Sequence, residues 1–215
     1  LAAVAMVSTA SAQFNLRGMK FPASLQNVFM LGNEGVQNEL SISEEQKKVL
    51  VELGDQMRAD ALEIFSSLQD LTPEEQKEQM PELMKMISEK GSAMQEKINK
   101  LLDDKQKARL KELSFQSRGA GALEDDEVIA ALKISDAQKQ KLADVREEGN
   151  KIIEQAMQAL RGGGGDAGEL RRKMGSMRKE LADKALAVLT PEQRALFDKM
   201  KGAKFDFPPQ RGFGF

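Results

Sequence analysis

The chain of 215 residues contains no cysteine, no histidine, no tryptophan and no tyrosine. Without cysteine there is no disulfide and no thiolate nucleophile. Without histidine there is no imidazole acid–base and no zinc site of the usual nitrogen–sulfur kind. An enzyme would have to work with Asp, Glu, Lys or Ser alone, and no activated constellation of these stands out. No catalytic residue, no cofactor and no metal site is therefore expected. The acidic groups at Glu44-Glu45, Glu74-Glu75 and Glu124–Glu127 fall at helix starts, where the macrodipole favours negative charge. None has EF-hand spacing. Phe is the one aromatic residue, and the net charge is −2, so the chain offers neither a basic field nor a stacking platform for nucleic acid. No apolar run is long enough to span a bilayer, which predicts no membrane insertion.

What is present is helix-forming: 40% apolar and 31% charged residues, the composition of a folded, soluble chain. Residues 1–12, LAAVAMVSTASA, are small and apolar. Ala10-Ser11-Ala12 fits the small-x-small pattern of signal-peptide cleavage, so this segment is read as a signal-peptide remnant and the protein as periplasmic or otherwise exported. Residues 13–38 hold Gly18, Pro22, Gly32 and Gly35 and predict an irregular arm with a short helix near Leu25–Leu31.

Four long apolar stripes follow at helical spacing. The first runs Leu50, Leu53, Met57, Ala61, Ile64, Leu68; the second Met80, Leu83, Met84, Ile87, Met94, Ile98, Leu101. Pro81 predicts a kinked or separate first turn in the second helix. The third runs Leu142, Val145, Ile152, Ala156, Leu160; the fourth Leu170, Met174, Met177, Leu181, Ala185, Val188. Between the last two, Gly162–Gly165 predicts a turn. It follows a helix, and no Lys-Ser/Thr pair follows it, so it lacks phosphate-loop logic. No segment alternates long enough for a strand. The prediction is an all-α fold of two tandem antiparallel long-helix hairpins with short capped flanking helices. Unit 1 spans 39–118, unit 2 spans 119–204, and 205–215 is a Phe/Pro/Gly tail expected to be unstructured, with a docking peptide as the sharper alternative.

One pattern recurs four times: Ile42-Ser43-x-x-Gln46, Leu102-Asp103-x-x-Gln106, Ile134-Ser135-x-x-Gln138 and Leu189-Thr190-x-x-Gln193. Gln46 and Gln138 are 92 positions apart, Gln106 and Gln193 are 87 apart, so a unit of about ninety residues occurs twice. Chemically the pattern is a capping box: the Ser, Thr or Asp side chain accepts from an early helix N–H while Gln reaches back to the N-cap N–H. Lys47, Lys107, Lys139 and Arg194 occupy the staple position, so the preceding Ile or Leu must bury elsewhere. A related site, Leu71-Thr72-Pro73-Glu74-Glu75, lies inside the first unit only.

On these letters the chain resembles the Spy/CpxP family of periplasmic proteins over residues 40–202. Leu189-Thr190-Pro191-Glu192-Gln193 matches the family's Leu-Thr-x-x-Gln motif in full; Asp103 replaces Thr in the second copy, and Ile-Ser replaces Leu-Thr in the other two. It also resembles uncharacterised exported helical proteins of planctomycete-type bacteria, in which a Leu-Ser-Phe-Gln-like step recurs, here Leu113–Gln116. The first resemblance implies a cradle of thin helices, often dimeric, that binds unfolded clients or a sensor domain in a stress response. Metal-binding relatives use His and Cys, which this chain lacks. Because the unit is tandem, a homodimer and a monomer mimicking a two-unit dimer both stay open.

Twelve methionines are either core filling or an adaptable apolar surface. The helix after the glycine run is locally basic. The candidate client-binding residues are Met84, Met94, Met174, Met177, Arg171, Arg172 and Arg178. The functional expectation is an ATP-independent chaperone-like or stress-adaptor protein binding unfolded or helical protein clients. The alternative is an envelope scaffold that self-associates or holds one helical partner.

Overall fold

The computed structural model describes residues 23–69, 71–161 and 167–208. The expected signal segment 1–12, the glycine run 162–165 and the tail residues 209–215 lie outside the described residues. Among those described, all regular structure is helical. In chain order the elements are α1 Ala23–Leu31, α2 Glu34–Glu39, α3 Glu44–Gln69, α4 Pro73–Leu101, α5 Asp104–Arg118, a 3₁₀ turn Gly119–Glu124, α6 Asp126–Leu132, α7 Asp136–Arg161, α8 Ala167–Ala187 and α9 Pro191–Met200.

Helices start where the capping pattern places them. Thr72 caps α4 with Glu75 as its box partner, Asp103 caps α5 with Gln106, and Thr190 caps α9 with Gln193. Pro73 and Pro191 take the first turn, where a missing N–H costs nothing. The first turn is not separate: α4 is continuous through Pro81. The ring lies on the exposed side, where water satisfies the carbonyl that loses its N–H partner.

The short helix expected near Leu25–Leu31 is α1, but the rest of the described arm is not irregular. Residues 23–40 form α1 and α2, and Val28, Leu31, Val36 and Leu40 are all buried. Gly32 and Asn33 only separate the two helices: Asn33 Oδ1 accepts from the N–H groups of Gly35 and Val36 at 2.8 and 3.3 Å, capping α2. This stretch belongs to the repeat. Val36, Leu40 and Ile42 correspond to Val128, Leu132 and Ile134, all buried. Ser41 and Lys133, both with φ of 51°, end α2 and α6 in left-handed geometry. Ile42 N–H then donates to Gln37 O at 2.9 Å and Ile134 N–H to Ile129 O at 3.0 Å, closing each helix in the same way.

The apolar residues gather into two cores. The first contains Leu31, Leu53, Ile87, Ile98, Leu110 and Leu113 among others; the second contains Phe115, Leu123, Val128, Leu142, Leu189 and Phe197 among others. Helix α5 belongs to both, giving Leu113 to one and Phe115 to the other. Along α3 and α4, Gln46 bonds Leu101 O and Asp60 pairs with Lys90 at 2.6 Å. Along α7 and α8, Gln138 bonds Val188 O and Glu148 pairs with Lys184 at 2.6 Å. In each pair the partner's number falls as the position rises, the sense of antiparallel packing.

The tail departs from expectation as well. Residues 202–208 carry no regular structure, yet Phe205 packs on the first core and its N–H donates to Gln116 Oε1 at 2.9 Å. Local composition reads as disorder here because the partners, Gln116 and Arg109, lie some ninety residues away.

Candidate functional site

The capping glutamines do more than cap. In the first unit Gln46 Nε2 donates to Gln106 Oε1 at 2.8 Å, and Gln106 Nε2 donates back to Gln46 Oε1 at 3.0 Å. In the second, Gln138 and Gln193 exchange the same bonds at 2.6 and 3.1 Å. Each Nε2 also donates to a main-chain carbonyl before the other motif: Gln46 to Leu101, Gln106 to Leu40, Gln138 to Val188 and Gln193 to Leu132. Each Oε1 also accepts its own N-cap N–H. Every carboxamide thus donates twice and accepts twice, its full capacity. The reciprocal clamp ties the first long helix of a unit to the short helix that closes it. It explains why the motif ends in Gln: a carboxylate accepts but cannot donate. Thr72, the related site with Glu75, caps α4 without such a partner; bonds from Thr72 N–H and then from its hydroxyl hold the Glu75 carboxyl below its ordinary pKa. The Ile or Leu before each box, lacking a staple, is buried in a core: Ile42, Leu102, Ile134 and Leu189.

With the units locked alike, their long faces differ. Helix α1 lies against α4, with Asn27 Nδ2 donating to Gln95 Oε1 at 3.2 Å. On α4, Leu83, Ile87, Met94 and Ile98 are buried in the first core. In the second unit the 3₁₀ turn stands where α1 would and packs against α8, whose Ala185 and Leu186 line the second core. Beyond them Val145, Ile152, Met174, Met177 and Leu181 are only half-buried.

The candidate residues therefore separate. Met94 is 4% exposed in the first core; it is core filling and offers no accessible binding surface. Met84 is half-buried against the same core. Met174 and Met177 are half-buried on α8 and belong to neither core, with Arg172 and Arg178 exposed beside them. Arg171 lies in α8, but its side chain is outside the described set. So the structure does not bring all seven together; it keeps one contiguous strip on α7 and α8. Ile152 and Leu181 complete that strip. They sat in the sequence stripes but carried no sign that their cover was missing.

Comparison of the chain with family models, with curated proteins and with solved structures finds no match. Among the described residues no group of three or more acidic side chains is placed to hold a metal ion, and no helix is long and apolar enough to cross a membrane. The α7–α8 strip must be read on its own chemistry. It is apolar, methionine-rich and flanked by cations. Lys179, paired with Asp183 at 2.7 Å, and Lys184, bridged to Glu148 and then Glu180, both have raised pKa values from these bonds and stay charged at neutral pH.

Proposed function

We propose that this protein is an exported, ATP-independent client-binding protein that holds unfolded or helical protein segments on the α7–α8 face. The observation that carries this is a difference in burial: the apolar residues Ile152, Met174, Met177 and Leu181 are half-exposed, whereas Leu83, Ile87, Met94 and Ile98 on α4, the helix against which α1 packs, are buried. Flexible thioethers accept varied shapes, and Arg172, Lys173 and Arg178 add a positive rim that draws acidic or loosely folded clients. The clamped ends keep the helix starts fixed while the strip stays open. The likeness of the motif to the Spy/CpxP family, and the export-like residues 1–12, point the same way.

The test follows light scattering from an aggregating unfolded protein, without ATP, with the mature chain at substoichiometric and equimolar ratios. Suppression is expected, and Met174→Glu with Met177→Glu should abolish most of it while helicity is kept. Absence of suppression at several-fold excess over several unrelated clients rejects the reading. Concentration-dependent self-association without client binding would establish the scaffold alternative instead.

A further inference from the structure

A second surface, independent of the α7–α8 face, has the chemistry of peptide recognition. Gln116 on α5 reads a stretch of non-helical main chain leaving α9: Nε2 donates to Lys201 O and Ala203 O at 2.5 and 2.8 Å, and Oε1 accepts from Phe205 N–H at 2.9 Å. Arg109, two turns earlier on the same face of α5, donates to Ala203 O at 2.9 Å and is itself held by Glu39 and Glu112, each at 2.6 Å. Gly202, with φ of 65°, turns the chain out of α9 into this path. Phe205 then anchors in the first core, and Phe207 stacks edge-on against it with centroids 4.9 Å apart. Gly35 on α2 leaves the space for Pro208: a Cβ there would stand 2.8 Å from the proline Cγ.

These contacts fall into two kinds. Main-chain bonds from two side chains supply affinity for any extended segment, and an apolar anchor with a proline seat supplies selection. The side chains of Lys204 and Asp206 pair with each other and are 84% exposed, so the groove ignores those two positions. We propose that the groove between α2 and α5 is a binding site for extended Phe-x-Phe-Pro peptides, occupied in cis by residues 205–208 and open to exchange with the same segment supplied in trans. Tethering gives the resident segment a high effective concentration, so the intact chain binds an external peptide weakly, and loosening the anchor frees the site.

The test uses the full chain carrying Phe205→Ala, its fold checked by circular dichroism, and a dye-labelled peptide of residues 202–209 followed by fluorescence anisotropy. The variant should bind at least ten-fold tighter than the intact chain, and adding Gln116→Ala should remove at least ten-fold of that affinity. Equal binding by variant and intact chain, or indifference to Gln116→Ala, overturns the proposal. Amide exchange in the unmodified chain gives a second reading that needs no substitution. If the segment detaches as a unit, the Phe205 amide exchanges at least ten-fold faster than the buried α5 amides around Leu113; exchange at the same rate overturns it.

Discussion

The two units share a frame and differ in what covers it. Both carry the glutamine clamp, both end their short helix on a left-handed residue, and both bury the same Val-x-x-x-Leu-x-Ile trio. In the first unit a full helix, α1, lies on α4, whose Leu83, Ile87, Met94 and Ile98 are buried. In the second a six-residue 3₁₀ turn takes that place, and among the described residues of α7 and α8 only Leu142 and Gly149 are buried. The same duplication also tuned its caps apart. Asn33 caps α2, whereas its counterpart Asp125 makes no cap bond and takes both terminal nitrogens of Arg118 instead. The same frame is therefore closed over in one unit and left half-exposed in the other.

The largest predicted contrast is between methionines. Met94→Glu places a charge in the first core and should cost about 4 kcal/mol in chemical denaturation. Met177→Glu, on the open face, should change stability by less than about 1 kcal/mol. Equal costs would erase the distinction between the units. Next come the clamps. Gln106→Glu removes two donated bonds at a buried position and should cost about 3 kcal/mol, with Gln106 only 8% exposed. Gln193→Glu, half-exposed in the other unit, should cost less than half as much by the same measurement, because water compensates the carboxylate.

A smaller effect comes from pH. Lys90 is bonded first to Asp60 and then to Glu63, and Lys184 first to Glu148; both lysine pKa values are raised. Stability from a raised lysine is complete below its unfolded value of about 10.4 and is lost as pH rises through the higher folded value. Alkaline titration past that window should loosen both helix pairs. Lys90→Gln should flatten the profile more than Lys184→Gln, since Asp60 is 12% exposed and Glu148 45%. The smallest effect concerns the left-handed residues. Lys133→Gly and Ser41→Gly should each stabilise by roughly 0.5–1 kcal/mol, because glycine occupies that geometry without Cβ strain.

Helix existence and helix starts were legible in the sequence because both are local. Stripe spacing marks the buried face, and a Ser, Thr or Asp three residues before Gln marks the cap. Helix α2 was missed because Gly32, Asn33 and Gly35 look like a loop, although Asn33 is an N-cap. The match of Val36, Leu40 and Ile42 with Val128, Leu132 and Ile134 was there to be aligned. The clamp, the seat of Phe205 and the difference between Met94 and Met177 were not legible. Each depends on a partner at least fifty positions away, and periodicity cannot report whether a third helix lies on a stripe.

The most direct measurement labels the methionine methyl groups and follows their NMR signals as an unfolded client is added to the protein. Met174 and Met177 should shift or broaden at substoichiometric client, while Met94 stays unchanged. Unperturbed Met174 and Met177, or changes led by Met94, would contradict the account.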